Sequence, residues 1–312
     1  MCCGWCINAS VWRLVYLVIL LPASVDASGL AVLYPNVKAP YVRVFDNIVL
    51  GVKKSHKQDV EVYMLPEKIN AKELERWLRE KRLINIVALG NQAMNLALAL
   101  PASFRVVAGA VLSAPVTEGR AFSAITMAPD PDLLFDQLIE LSPAIESVSV
   151  VYQSGRHDAL IDRAREVAAS HGVVVVAHGT DNAREGANLF KTIIDDHAPE
   201  KTAIWLLQGV PALKERSVLQ SVLRKAWDQK IVVFSSNPSY VKRGALFSLY
   251  PNNFELGQSL AAASLDLAKG LNLGTRPSRE LDSVLNTRTA EHLGLGLSRS
   301  RKRQFDILFP SE

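Results

Sequence analysis

The run Gly90-Asn91-Gln92-Ala93 joins a short apolar stretch, 84–89, to a helix-period stretch that stops before Pro101. A helix starting there has backbone N–H groups without internal partners, and its dipole adds positive potential. Such a terminus takes a carboxylate or a phosphate. A plainer reading is that Asn91 caps its own helix. Other candidate residues follow other apolar runs: Pro40 and Tyr41, Pro115 and Thr117, Gln153, Ser154 and Arg156, then Asp181, Gln208 and Asn237. Arg156 can grip an anion through two parallel hydrogen bonds. Asp181 can hold an ammonium or cap the helix after it. Singly, each has an ordinary surface or capping role. As a set they converge on one cleft if the apolar runs are parallel strands, because ligands of open α/β sheets sit at the carboxyl ends of the strands.

The elements that must position these residues are written twice. Apolar runs at 32–34, 61–64 and 84–89 alternate with helix-like stretches at 40–54 and 71–80. The pattern returns as runs at 148–152, 173–177 and 203–207 with helix-like stretches at 159–170 and 184–195. Short apolar runs alternating with helix-period segments are buried parallel strands. The expected fold is α/β: two Rossmann-like lobes with parallel sheets flanked by helices, joined by hinge segments. A turn-rich stretch at 113–119 is the expected first passage between lobes and 251–253 the second. A helix is expected to start near Asp130 with Pro131 in its first turn. The divisions expected are 28–115 plus 252–275 for lobe 1, and 116–251 plus 276–312 for lobe 2. No Pro-rich or low-complexity linker separates them, so short hinges are expected rather than a tether.

A chain of 312 residues is ample for two cores, and 49% hydrophobic residues is ordinary for a folded protein. Residues 1–27 differ: Arg13 precedes the apolar run 14–21, and small residues stand at Val25 and Ala27. This reads as a signal peptide cut after Ala27, which places the protein in the periplasm. The alternative, an uncleaved anchor, needs roughly 20 apolar residues, more than this run supplies. The only cysteines, Cys2, Cys3 and Cys6, precede the apolar run, so cleavage removes every thiol. A net charge of +4 with no basic stripe gives no nucleic-acid footprint. The basic cluster 299–303 reads as a solvated loop.

Catalytic patterns are missing. There is no Gly-x-Ser-x-Gly elbow, phosphate-cradling loop with lysine, or His-Glu-x-x-His. His171 and His178 are set to face opposite sides, and His56, His157, His197 and His292 have no ligand-like spacing. Trp77, Trp205 and Trp227 read as core or interlobe packing.

The stretches 241–246, 256–261 and 286–295, with 87–93 and 150–152, give the chain its likeness to a known family. It resembles the ABC transporter substrate-binding proteins that include tryptophan- and tyrosine-binding members. The resemblance implies a type I periplasmic-binding-protein fold with three hinge segments. It also implies a ligand trapped between the lobes and passed to a membrane permease, and the missing catalytic patterns lead to the expectation of no enzymatic activity. In amino-acid-binding members the helix terminus matching Asn91-Gln92-Ala93 looks like the carboxylate site. Two departures stand out. Gln208-Gly209-Val210-Pro211 replaces a stretch that often carries an acid, and Gln153-Ser154-Gly155-Arg156 replaces an Asn-Pro-x-Glu-like loop. A lost acid and a gained arginine point away from a zwitterion. The ligand-binding set expected is Tyr41, Asn91, Gln92, Ala93, Pro115, Thr117, Gln153, Ser154, Arg156, Gln208 and Asn237. No metal or cofactor is expected, and the chain is expected to act as a monomer. The partners expected are a small molecule (an amino acid or other small organic anion) and a permease, with no nucleic acid. An alternative keeps the fold but makes it a ligand sensor acting on a membrane receptor.

Overall fold

A computed structural model describes residues 29–39, 41–196 and 200–310. The signal-peptide reading, the cut after Ala27, Pro40 and His197 lie outside the described residues. The first lobe contains β1 (Leu30–Pro35), α1 (Val42–Ser55), β2 (Val60–Leu65), α2 (Ala71–Glu80), β3 (Asn85–Leu89), α3 (Gly90–Leu98), β4 (Arg105–Val111) and β5 (Phe122–Pro129). The second contains α4 (Pro131–Leu141), β6 (Ser147–Tyr152), α5 (Asp158–Ala168), β7 (Val174–Gly179), α6 (Ala183–Asp195), β8 (Thr202–Leu206), α7 (Pro211–Lys214), α8 (Arg216–Asp228), β9 (Val232–Ser235), α9 (Pro238–Val241) and β10 (Phe247–Pro251). The chain then returns through α10 (Asn253–Ala268) and β11 (Thr275–Ser278) to lobe 1. It ends in lobe 2 with β12 (Leu281–Asn286), α11 (Thr287–His292), α12 (Arg299–Lys302) and β13 (Ile307–Phe309).

The six-stranded sheet runs β11-β5-β4-β3-β1-β2 and is parallel throughout. The seven-stranded sheet runs β13-β12-β10-β9-β8-β6-β7, with β10 and β12 antiparallel. The period-2 geometry of a strand explains the apolar runs. In β1, Ala31 and Leu33 join the core under α2 and α3, while Leu30 and Val32 join the core under α1 and α10. Ile86 and Ala88 of β3 face the first of these layers, Val87 and Leu89 the second. Lobe 2 has one large core. Trp205 lies at its centre, stacked 6.1 Å from Phe234, which stacks 5.3 Å from Phe247. Trp77, stacked on Tyr63, packs against the core under α2 and α3, whereas Trp227 is 36% exposed and lies on His292, outside the cores.

The first passage between lobes is not at 113–119. That stretch links β4 to β5, and β5 pairs with β4 in the first sheet, so the chain leaves lobe 1 at Pro129-Asp130. Parallel neighbours usually need a helical crossover. Here a helix-free loop does the work, and the turn signals looked like a departure. β11 also belongs to the first sheet, which moves the last boundary from 275/276 to the segment 278–281. Between β10 and α10 the chain passes through Pro251-Asn252. The cluster 299–303 holds the short helix α12 rather than a free loop, with Arg301 on Glu140 at 2.6 Å.

The three passages are bonded to one another. Asp130 N–H donates to Ser278 O at 2.8 Å, and Asn252 N–H donates to Glu280 O at 3.0 Å. The Asp130 carboxylate caps α4 and pairs with Arg279 and, at 3.6 Å, with Arg163. Beside it, a hydrogen bond from His171 and the charge of Arg279 hold the Asp132 carboxyl below its ordinary range.

Lobe 1 also depends on one close helix crossing. A Cβ at Gly51 of α1 would lie 1.9 Å from Phe254 O of α10, and one at Gly257 would lie 2.1 Å from Ile48 O. The obstructing atoms are backbone, so only separation of the helices could relieve the clash. Gly257→Ala is expected to destabilise the protein by about 1–3 kcal/mol or more, the usual cost of overpacking. Urea unfolding reads this directly, and an unchanged midpoint would contradict so close a crossing.

Candidate functional site

In lobe 1, α3 begins at the residue after β3 ends. Gly90 takes φ +82, a left-handed conformation that favours glycine, and Leu89 at the N-cap has no side chain able to cap. Asn91 therefore does not cap its own helix. Asn91 and Gln92 are exposed, and Ala93 is fully buried. Phe45 lies against Gly90 and stacks 6.0 Å from Tyr34, forming an aromatic wall beside the helix start. The other end of α3 is fixed by Arg120, which donates to the carbonyls of Ala97, Leu98 and Leu100 at 2.9, 2.9 and 2.7 Å. A cation at a helix C-terminus complements the dipole. Arg120 also ties the β4–β5 loop to α3.

In lobe 2, residues 153–157 form the turn that launches α5. The Gln153 carbonyl accepts from the N–H groups of Arg156 and His157, and the Gly155 N–H donates to Asp158 at 2.9 Å. The Gln153 N–H donates to His157 Nδ1 at 3.1 Å. That bond makes Nδ1 an acceptor and leaves the proton of the neutral ring on Nε2. His157 is only 3% exposed, and its Nε2 has no partner among the described residues. Burial, and then the charge of Arg156, push its pKa down to about 4.

The lobes meet here. A Cβ built on Gly209 of lobe 2 would lie 3.1 Å from Leu112 Cδ1 of lobe 1 and 3.6 Å from His157 Nε2. Next to this contact is a solvent-open cavity of about 80 Å³. Its walls are residues 112–114 and β5 on one side, Arg156 and the first turn of α5 on the other, and β11 with Arg276 along the hinge. It is open space with both lobes as walls.

The residues expected from sequence divide accordingly. Arg156 lines the cavity. Gln153 holds His157 from behind, and Gln208 is the half-buried neighbour of Gly209. Pro115 and Thr117 continue the loop whose start lines the cavity but are not themselves lining residues. Ser154 packs toward Gly179, away from the cavity lining. Asn237 is occupied locally, capping α9 by accepting from Ser239 N–H at 3.0 Å. Asp181 is exposed and leaves the cap of α6 to Asn182. Tyr41 is 70% exposed at the start of α1, away from the cavity lining. Sequence reasoning missed Leu112, Gly209, Arg276 and His157. Metal-ligand spacing does not mark His157; its signal in the sequence is its adjacency to Arg156 after a strand. Among the described residues no group of three His, Cys, Asp or Glu could hold a metal ion, and no helix is long and apolar enough to cross a membrane.

The state of His157 has a pH signature. An unfolded histidine titrates near pH 6.5, so between about 4 and 6.5 the unfolded chain binds a proton that the folded chain refuses. This group's contribution is full above pH 6.5 and falls by on the order of 3 kcal/mol as the pH drops to about 4. His157→Gln should flatten that limb relative to the parent, with His56, also buried and lowered, common to both. Parallel stability curves for the two proteins between pH 6.5 and 4 would contradict a neutral buried ring.

Solved structures share the whole architecture. A conserved domain protein from Vibrio cholerae O1 biovar El Tor is 19% identical, with a TM-score of 0.55, and the match covers 90% of this chain and 99% of that one. The ABC domain in complex with L-Trp from Streptococcus pneumonia is 16% identical (TM-score 0.58, covering 90% and 99%). A substrate binding protein with adhesive properties from Clostridium difficile, in its ligand-free, open structure, is 15% identical (TM-score 0.61, covering 90% and 98%). At these identities the likeness establishes the fold, which is of the type I periplasmic-binding-protein kind. A search of curated proteins finds no match. The model of the ABC transporter substrate binding protein family matches residues 79–300, most of the chain, and the protein belongs to that family.

Proposed function

We propose that the protein is an exported solute-binding component of an ABC-type uptake system, which closes on a small molecule between its lobes and presents it to a membrane permease. The observation that carries this reading is the cavity walled by both lobes beside mutually bonded hinge passages. Family membership supports the transport assignment, and the apolar run after Arg13 supports export with cleavage after Ala27. The ligand lies against Arg156, with Gln153 behind it on the same wall, holding His157. Apolar walls exclude water while a few polar groups orient the ligand. Closure is a population shift, favoured by any ligand that touches both lobes.

The test is a metabolite panel added to the purified chain lacking residues 1–27. A ligand at a hundred times its dissociation constant stabilises the folded state by about 2.7 kcal/mol, so the true ligand should raise the melting temperature. The same compound should reduce the radius of gyration in X-ray scattering. Absence of both effects across the panel would remove the reading.

A further inference from the structure

Arginines around the hinge have carboxylate partners. Arg279 pairs with Asp130 and Asp132, Arg163 with Asp130 and Glu166, and Arg165 with Asp162. Arg156 and Arg276 differ. Both line the cavity between the lobes, neither has a carboxylate within ion-pair distance among the described residues, and no Asp or Glu lines that cavity. Behind the same wall, though not itself a lining residue, lies the unpartnered Nε2 of His157, 3% exposed and beside the Leu112–Gly209 contact. The other cavity-lining side chains are apolar or small hydroxyl groups, such as Ala114, Ala128, Leu160 and Thr126.

Half-buried Arg156 and exposed Arg276 thus present two guanidinium groups to the cavity with no carboxylate between them. An anion satisfies them, and a planar carboxylate matches the fork of a guanidinium. An ammonium brings like charge and finds no carboxylate in the lining to offset its own desolvation. On the solute-binding reading above, we propose that the cavity takes an organic carboxylate with an apolar body and no ammonium group, clamped between Arg156 and Arg276. Arg156 stands in the turn before α5 of lobe 2, while Arg276 sits on β11 in the sheet of lobe 1. One anion held by both spans the cleft, so the contact that selects the ligand also favours the closed state.

Calorimetric titration with matched pairs tests this: 4-methyl-2-oxopentanoate against L-leucine, and phenylpyruvate against L-phenylalanine. The oxo acid of at least one pair should bind, with its amino acid weaker by about tenfold or more. Arg156→Gln and Arg276→Gln should each weaken the oxo acid by about tenfold or more. Neither change should lower the melting temperature of the ligand-free protein, since neither arginine holds an ion pair there. An amino acid binding as tightly as its oxo acid, or variants binding as the parent does, would overturn the anion assignment and leave solute binding intact. If no member of either pair binds, the carboxylate assignment falls. The scattering and melting panel then decides the solute-binding reading separately.

Discussion

Asp130 ties together the passages that join the two sheets. Its carboxylate is nearly out of water at the point where the chain first leaves lobe 1, and a buried charge there must be paired. Arg279 from the third passage and Arg163 from α5 supply the pairing, while the Asp130 backbone bonds to Ser278 on the last strand of lobe 1. One residue thus joins the first passage, the third passage and the helix that follows the Arg156 turn. The strands that run into this knot, β5 and β11, are also walls of the cavity. Hinge geometry and cavity shape therefore cannot change independently.

Away from the hinge the lobes are built to stay rigid. Both faces of the first sheet are buried under helices, and the second lobe has a continuous core around Trp205. The contact at Leu112, Gly209 and His157 is narrow by comparison, and the groups there are imperfectly satisfied. Rigid bodies joined by short bonded strands, with a sparse interface between them, are suited to hinge motion rather than internal rearrangement.

Much of this was legible in the sequence because parallel strands buried on both faces leave unbroken apolar runs. Ala31 and Leu33 facing one helix layer, with Leu30 and Val32 facing the other, is the physical content of that signal. What escaped was pairing without a local mark. β5 follows β4 with no intervening helix, and β11 is an edge strand set by residues roughly 150 positions earlier, so the alternation rule could find neither. The site shows the same division. Strand ends pointed to Arg156, Gln153 and Gln208, but also to Asn237, which is engaged in its own cap, and to Asp181, whose neighbour caps instead. His157 and Arg276 become visible once the fold sets an unpartnered ring nitrogen and a second lone guanidinium beside the same opening.

The central claim, that the lobes close around a ligand, is tested most directly by an interlobe distance. Spin labels at Lys38→Cys, after β1, and Asp181→Cys, after β7, mark one exposed position in each lobe. The chain lacking residues 1–27 carries no other cysteine. Pulsed electron resonance before and after saturation with the metabolite that most raises the melting temperature should show the label separation shorten and its distribution narrow. An unchanged distribution with the ligand demonstrably bound would contradict the account.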